Sequence, residues 1–538
     1  MIDLPNSWAD THGWTASWLL PVLVSALLVG RAIVPASLTM KRGFTSLLVV
    51  CALVAVANYL DYGRFRYGTY FNEWDAYHYY VGTKYIGEIG YTHLYEATLL
   101  ADQETGAVFQ SAGHAIRDLG STGHIDLPTA LRAGEHVKQG FSAERWREFV
   151  ADIDWFKHQL PPERWSLVFD DHGFNGTPPW LAVVQLVTNN LSIRDTPSRW
   201  AIILIDPILL LVMLGCVAWA YGIDMALMMT VLIGTHYFLS WGHLKGCVLR
   251  TDFAVLSVIS ACCLKRERYA SAGACLAWAG ISRVFPVLFA AGPFVLLVTH
   301  ALTERRLNRD LLRFFQAFAA TLAVAMLFAL VRLDSVSLML EWTAKISRHV
   351  AEGSHWNVGF STILDSEVKR GLRVPFDAAF AYFVKPELEM LRTITIWTVR
   401  IAVLGPTLYF MRFLRAHDAF TLGFVLVFFL VSPDYYYYLI LCVPMLFYAD
   451  HVGLPAGALG LGSLLLTGAL GYLMFEGWPA MQGIDRMFEA HHQTFATTYY
   501  LSCGIGLTAL HMFALAAVDA LRVSVRERDA QTAAMMRK

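Results

Sequence analysis

Charge is what this sequence has least of. Only 16% of its 538 residues are Asp, Glu, Lys or Arg, against about 25% in a soluble globular chain. That scarcity excludes an ordinary soluble enzyme. Forty-two basic residues stand against forty-three acidic ones, a net charge of −1. No basic excess is left for a nucleic-acid partner. A hydrophobic share of 56%, with 13% aromatic, excludes disorder. The eight cysteines include no CxxC pair and no Cys/His spacing of the zinc kind. All lie in or beside apolar segments, and the polar stretch Asp61–Thr177 has none, so they read as small packing residues. Neither G-x-G-x-x-G nor G-x-x-x-x-G-K-[ST] occurs, which leaves the two common nucleotide sites unsupported. No internal repeat or low-complexity tract is present. Trp14–Val34 is too long for the core of a cleavable signal peptide and lacks a basic segment before it.

Long apolar runs are what remains. Stretches near membrane-spanning length recur from Trp14 to Leu521, and at roughly 20 residues per span they predict an all-α polytopic membrane protein with about 13 crossings. Several runs are short, which fits tilted or half-spanning helices lining a cavity. Five basic clusters should share the cytoplasmic side: Lys41 and Arg42; Lys265 to Arg268; Arg305 and Arg306; Arg412 and Arg415; and Arg522, Arg526 and Arg528. One scheme satisfies all five. The N-terminus is outside, the C-terminus is cytoplasmic, and Trp180–Val187 does not fully cross. The chain then divides into two N-terminal spans (1–60), a long outer loop (61–179), a membrane core (180–331), a second outer loop (332–393) and a C-terminal set of spans with a basic tail (394–538). Within the first outer loop, Phe141–His158 has helical apolar spacing and is expected as an amphipathic helix on the membrane surface.

The residues able to do chemistry gather in the expected outer segments. Glu73 and Asp75 open Asn72–Tyr95 just after a membrane exit, where a carboxylate must face water, a partner or a substrate. The two diverge on a helix and share a face on an extended strand. On a helix, Asp75, Tyr79 and Gly82 follow one face. Asp75 reads either as a general base taking a proton from an attacking hydroxyl or as a solvated carboxylate beside an interfacial aromatic belt. Arg283 interrupts an apolar run ahead of Pro286. Its fork suits phosphate oxygens, and the alternatives are a structural acid partner or snorkelling to the cytoplasmic side. Lys245 and Arg250, flanking Gly246, are either further phosphate ligands or cytoplasmic anchors. The second outer loop, taken as polar and flexible, offers His349, His355 and Asn357. His355 is a donor to a leaving phosphate or a plain surface histidine. Asp434 and Tyr435 to Tyr438 either stack on sugar or serve as interfacial aromatics. The acidic pair at Glu73 and Asp75 has too few oxygen ligands for a hard cation, so no metal or cofactor is expected.

Asp75, Tyr79-Tyr80, Gly90 and Leu94-Tyr95 resemble the first outer loop of the polyprenyl-phosphate-mannose-dependent mannosyltransferases, a group within the GT-C superfamily. Thr177-Pro178-Pro179-Trp180 is similar to the opening of that family's next element. Lys265–Pro286 resembles its basic turn and Lys-x-x-Pro helix, with Arg283 in the Lys position. Asn357-Val358-Gly359-Phe360-Ser361 and Ser432-Pro433-Asp434-Tyr435-Tyr436 resemble two later marks. The order holds over about Asn72–Leu446. A long insertion before Pro178 and an extra membrane helix before Asp75 depart from the pattern.

The resemblance implies a GT-C-like fold and a glycosyl transfer from a polyprenyl-phosphate sugar, mannose or a pentose, to a lipid or glycan acceptor. Such a reaction needs a base for the acceptor hydroxyl and cations for the lipid phosphate that leaves. Asp75 is the expected base in an inverting displacement, with Glu73 as second carboxylate or sugar ligand. Arg283, Lys245, Arg250, His355, Asn357, Tyr79 and Tyr435 are the expected donor contacts. The expected location is a bacterial inner (cell) membrane, with a larger membrane complex reachable through the 96–177 insertion. The rival readings are a non-catalytic GT-C-like subunit of such a complex and a transporter or flippase.

Overall fold

In the computed structural model, the residues described are 8–33, 38–63, 70–109, 114–236, 245–333, 336–352, 356–364, 389–472 and 486–536. Helix dominates them. The one sheet among them is a hairpin of Ile116–Arg117 with His124–Ile125. Among the described residues, seven helices are long and apolar enough to cross a membrane: Thr15–Ile33, Lys41–Tyr59, Thr196–Tyr221, Phe285–Glu304, Arg309–Leu333, Met390–Met411 and Thr498–Val523. Their outward faces carry exposed Leu, Val, Ile and Phe, such as Leu53, Leu211, Val331 and Ile401, as lipid contact requires. The chain is an integral membrane protein. The shorter apolar helices Ile223–Thr235, Ala416–Leu430, Tyr435–Phe447 and Pro455–Gly471 complete the bundle.

The helices run back and forth between two ends that differ in chemistry. At one end the basic turns meet. Arg31 pairs with Asp224 at 2.9 Å, and Thr45 donates to the same carboxylate at 2.6 Å, which holds the Lys41–Arg42 turn there. Lys265 and Arg415 both reach Asp450. His451 lies 3.8 Å from Asp519, which also pairs with Arg522. Gly273 packs on the backbone of Phe314, setting the turn after Lys265 beside the one that carries Arg305 and Arg306.

The other end carries a helical cap made from residues 70–109, 114–195 and 337–352. It has its own apolar core, including Tyr77, Tyr95, Phe149, Phe156, Trp165 and Trp180, while a separate core runs between the long helices. The spacing of Phe141–His158 does make a helix, Ala143–Gln159, started by Ser142 capping the Arg145 N–H. Its apolar face is not a membrane-facing one. Trp146, Phe149, Ile153 and Phe156 are buried inside the cap, where Phe156 meets Tyr77 and Phe71. A stripe that fits a bilayer fits a protein core equally well. The histidine segment also departs from expectation: His349 belongs to the Ser337–Glu352 helix rather than to a flexible loop. Pro178–Thr188 stays within the cap. Thr177 at its start bonds Ile281 O, and Gln185 near its end bonds Thr83 O at 3.1 Å.

Candidate functional site

The cap meets the bundle around Asp75. Asn72 caps the Glu73–Ala76 turn by accepting the Asp75 N–H at 3.2 Å. Five residues of π-helix follow, Tyr77–Val81, a wide turn often found at functional sites. This local geometry turns Asp75, Tyr79 and Gly82 toward one wall. Gly82 lies against Phe174, whose ring meets Tyr79 edge-on at 5.3 Å.

Arg250 is brought to Asp75 from far along the sequence. Its Nε lies 3.3 Å from Asp75 Oδ2, and both side chains are buried. The segment carrying it is fixed at three points. Asn72 N–H donates to Gly246 O at 3.0 Å. Gly246 has φ +66°, and a side chain there would collide with Tyr70 O. Asp206 accepts the backbone N–H groups of Arg250 and Thr251, at 2.8 and 2.9 Å, and the Thr251 hydroxyl at 2.6 Å. Leu249, next to Arg250, holds φ 48°, a left-handed conformation that costs of order 1–3 kcal/mol in a non-glycine residue.

Arg283 arrives from the end of the Tyr269–Ser282 helix. Its Nη2 donates to the Tyr79 hydroxyl at 3.2 Å. The two guanidinium groups thus share one phenol: Arg250 lies 3.9 Å over the Tyr79 ring, and Arg283 holds its oxygen. Tyr436 stands 5.4 Å from Arg250, and Tyr437 5.3 Å from Arg283. Arg283 Nε and Arg250 Nη1 are buried and make no hydrogen bond. Asp252 braces the wall beneath. It accepts from Trp180 Nε1 (3.1 Å), Trp278 Nε1 (3.0 Å), Ser282 Oγ (2.6 Å) and the Phe253 N–H (2.9 Å). Its acceptor capacity is taken up, so it does not neutralise Arg283 by direct contact. This arrangement can hold an anion between two cations and present a carboxylate beside it.

The expected site residues divide accordingly. Asp75, Tyr79, Arg250 and Arg283 come together. Arg250 lies beside Asp75, away from the basic end, and Arg283 does not reach toward that end. Lys245 reaches the same end but lies over the Tyr59 ring and donates to Tyr59 O at 2.7 Å, where it ties the cap to a long helix. Glu73 lies on the same helical turn as Asp75, so the two carboxylates diverge. Arg164 is its electrostatic neighbour, and burial raises its carboxyl above the usual range. Asn357 pairs its backbone with Asp434, which steadies the 432–438 turn. Tyr435 packs on Trp356, and the tyrosines facing the arginines are its neighbours Tyr436 and Tyr437. His355 lies outside the described residues. Sequence reasoning missed Asp206 and Asp252, whose only signal is an acid inside an apolar run.

One further group among the described residues brings metal-ligating atoms together: His417, Asp418 and Asp450. It lies at the basic end, where Lys265 and Arg415 already take up the carboxylates, and it acts as an ionic clasp. No protein-family model, no curated protein and no solved structure matches this chain.

Proposed function

We propose that the chain is a GT-C-like glycosyltransferase that moves a sugar from a polyprenyl-phosphate donor to the hydroxyl of a lipid or glycan acceptor. The observation that carries this reading is the buried Asp75–Arg250 pair, joined through Tyr79 to Arg283, with guanidinium N–H groups left without hydrogen bonds. Two converging guanidinium groups suit the oxygens of a phosphate diester and the charge that develops as it leaves. The acceptor O–H attacks the anomeric carbon, the bond from that carbon to the phosphate oxygen breaks, and the phosphate departs with the electron pair. Asp75 takes the acceptor proton.

In this reading Ile223–Thr235, Asp252–Lys265, Tyr269–Ser282, Ala416–Leu430, Tyr435–Phe447 and Pro455–Gly471 cross as well, which with the seven long helices gives 13 crossings, the short ones lying where protein rather than lipid surrounds them. The basic end faces the cytoplasm and the cap faces outward, where a lipid-linked donor needs no nucleotide. Gathering of all five basic turns at the end away from Asp75 supports that orientation.

The test uses the full chain in lipid nanodiscs with radiolabelled polyprenyl-phosphate-mannose and polyprenyl-phosphate-pentose donors and an extracted membrane acceptor. Asp75→Asn is expected to retain donor binding and lose about 10²–10⁴-fold in transfer rate. Arg283→Gln is expected to lose donor binding first. Undiminished transfer by Asp75→Asn would overturn the assignment of the base. Fixed-stoichiometry co-purification with a larger complex and no transfer would favour the non-catalytic reading.

A further inference from the structure

A second cationic site lies in the cap, apart from the Asp75 cluster. The hairpin Ile116–Ile125, the loop at His172 and the last turns of the Ser337–Glu352 helix line a small, partly open surface cleft. Arg117, His172, Lys345, Arg348 and His349 line it. The acids lining it are Asp118 and Glu352, and Asp170 stands behind Arg117, its carboxylate 3.7 Å away and its carbonyl accepting Arg117 Nε at 3.0 Å. Asp118 is engaged within its own turn, accepting from the Gly120 N–H at 2.8 Å and the Ser121 hydroxyl at 2.7 Å. Glu352 stands 3.5 Å from His172 and 3.9 Å from Arg117, loose pairings that a more highly charged acceptor can displace.

Three features point to a ligand rather than to a structural cluster. The His172 and His349 rings lie 4.7 Å apart, and His349 Nδ1 is buried without a hydrogen-bond partner. Lys345 is only 6% exposed and donates to Tyr91 O and Phe174 O, each at 2.9 Å, with no carboxylate bonded to it. Burial accordingly lowers its ammonium to about 7, and an anion placed in the cleft offsets that penalty. The donors also come from three separate chain segments and meet on one cleft, so a ligand there can be contacted from more than one side. That suits a tetrahedral group with three or four acceptor oxygens better than a carboxylate with two.

We propose that this cleft binds a phosphate group, borne by a lipid headgroup or by a small solute, at a site separate from Asp75 and Arg283. The site does not depend on the glycosyl-transfer reading. It shares a loop with the first site, since Trp74 Nε1 donates to Asp171 Oδ2 at 2.9 Å and Phe174 packs against Tyr79.

The experiment uses the full chain in phosphatidylcholine nanodiscs, titrated with inorganic phosphate and with glycerol 3-phosphate by calorimetry. A parallel set of discs contains phosphatidic acid, whose retention is read by native mass spectrometry. Saturable binding of the soluble probes assigns a free-phosphate ligand, and retention of phosphatidic acid alone assigns a lipid one. Arg348→Gln with His349→Gln is expected to weaken whichever binding is seen by ten-fold or more, while Arg283→Gln, which removes a cation of the first site, leaves it within two-fold. Should the double variant fail to fold, Arg348→Gln alone, at a half-buried position, carries the same test. Absence of binding by the soluble probes and phosphatidic acid alike, equal binding in the variant, or an equal loss in Arg283→Gln would overturn the proposal.

Discussion

Gly246 shows how much of the site hangs on one backbone position. Its carbonyl holds the Asp75 turn through Asn72, and its α-carbon sits where no side chain fits, against Tyr70 O. Gly246→Ala adds a left-handed penalty of about 1 kcal/mol or more to a clash with rigid backbone. The expected result is a lower melting temperature together with loss of transfer, because Arg250 moves with it. A scan of the purified variant in nanodiscs checks the first, and the mannosyl assay the second. Lys345 gives a second residue-scale expectation, in pH. Its folded value of about 7 lies below the ordinary 10.5. Between those two values the unfolded chain binds a proton that the folded chain does not, so this group makes stability rise with pH. The penalty is present in full below about pH 7. Lys345→Met should therefore flatten the rise in melting temperature between pH 7 and pH 9.5, and an unchanged slope would show the amine to be charged when folded. Neither effect is legible in the sequence. A glycine beside a lysine, or a lysine on an amphipathic helix, gives no sign of what packs over it.

At the scale of elements, the cap holds together through a buried ion network as well as through its aromatic core. Lys84, 2% exposed, pairs with fully buried Asp152 at 2.7 Å. Tyr85 donates to the same carboxylate at 2.8 Å, and Arg194 reaches its other oxygen at 2.9 Å. A pair of this kind costs much to break and little to remove whole. Lys84→Met alone is expected to destabilise the cap by about 3–5 kcal/mol by leaving Asp152 under-compensated, while Lys84→Met with Asp152→Leu should recover most of the loss. Thermal unfolding of the two variants, compared with wild type, decides it. The same stretch marks what pattern can and cannot reveal. Apolar spacing in Phe141–His158 was enough to identify a helix, because period is a local property. Its burial partner was not, because Phe71, Tyr77 and Tyr85 approach it from another part of the chain. The Asp75 segment is a similar case. Its carboxylate and Tyr79 stood out by type and spacing, whereas the choice of Tyr436 and Tyr437 over Tyr435 depends on how the Tyr435–Leu441 turn winds.

For the molecule as a whole, the strongest signal in the sequence was charge asymmetry along the chain, and it has a direct structural counterpart. The turns holding Arg31, Lys265, Arg415 and Arg522 are linked by ion pairs to Asp224, Asp450 and Asp519 at one end, while Asp75, Arg250 and Arg283 lie at the other. Basic turns can be counted without knowing the fold. Two buried arginines meeting on one phenol cannot, since residues 79, 250 and 283 converge only after the bundle has formed. The opposition of the two ends makes a prediction about sidedness. Ser121 is exposed on the cap, and Arg306 lies in the basic turn between two long helices. With the native cysteines replaced by alanine or serine, Ser121→Cys should react with a membrane-impermeant maleimide on intact spheroplasts, and Arg306→Cys only after the membrane is opened. Labelling of both from outside would mean that the ends do not face opposite sides of a bilayer. The reverse pattern would place Asp75 on the cytoplasmic face, where a lipid-linked donor displayed outside the cell cannot reach it, and the glycosyl-transfer reading would fall with the orientation.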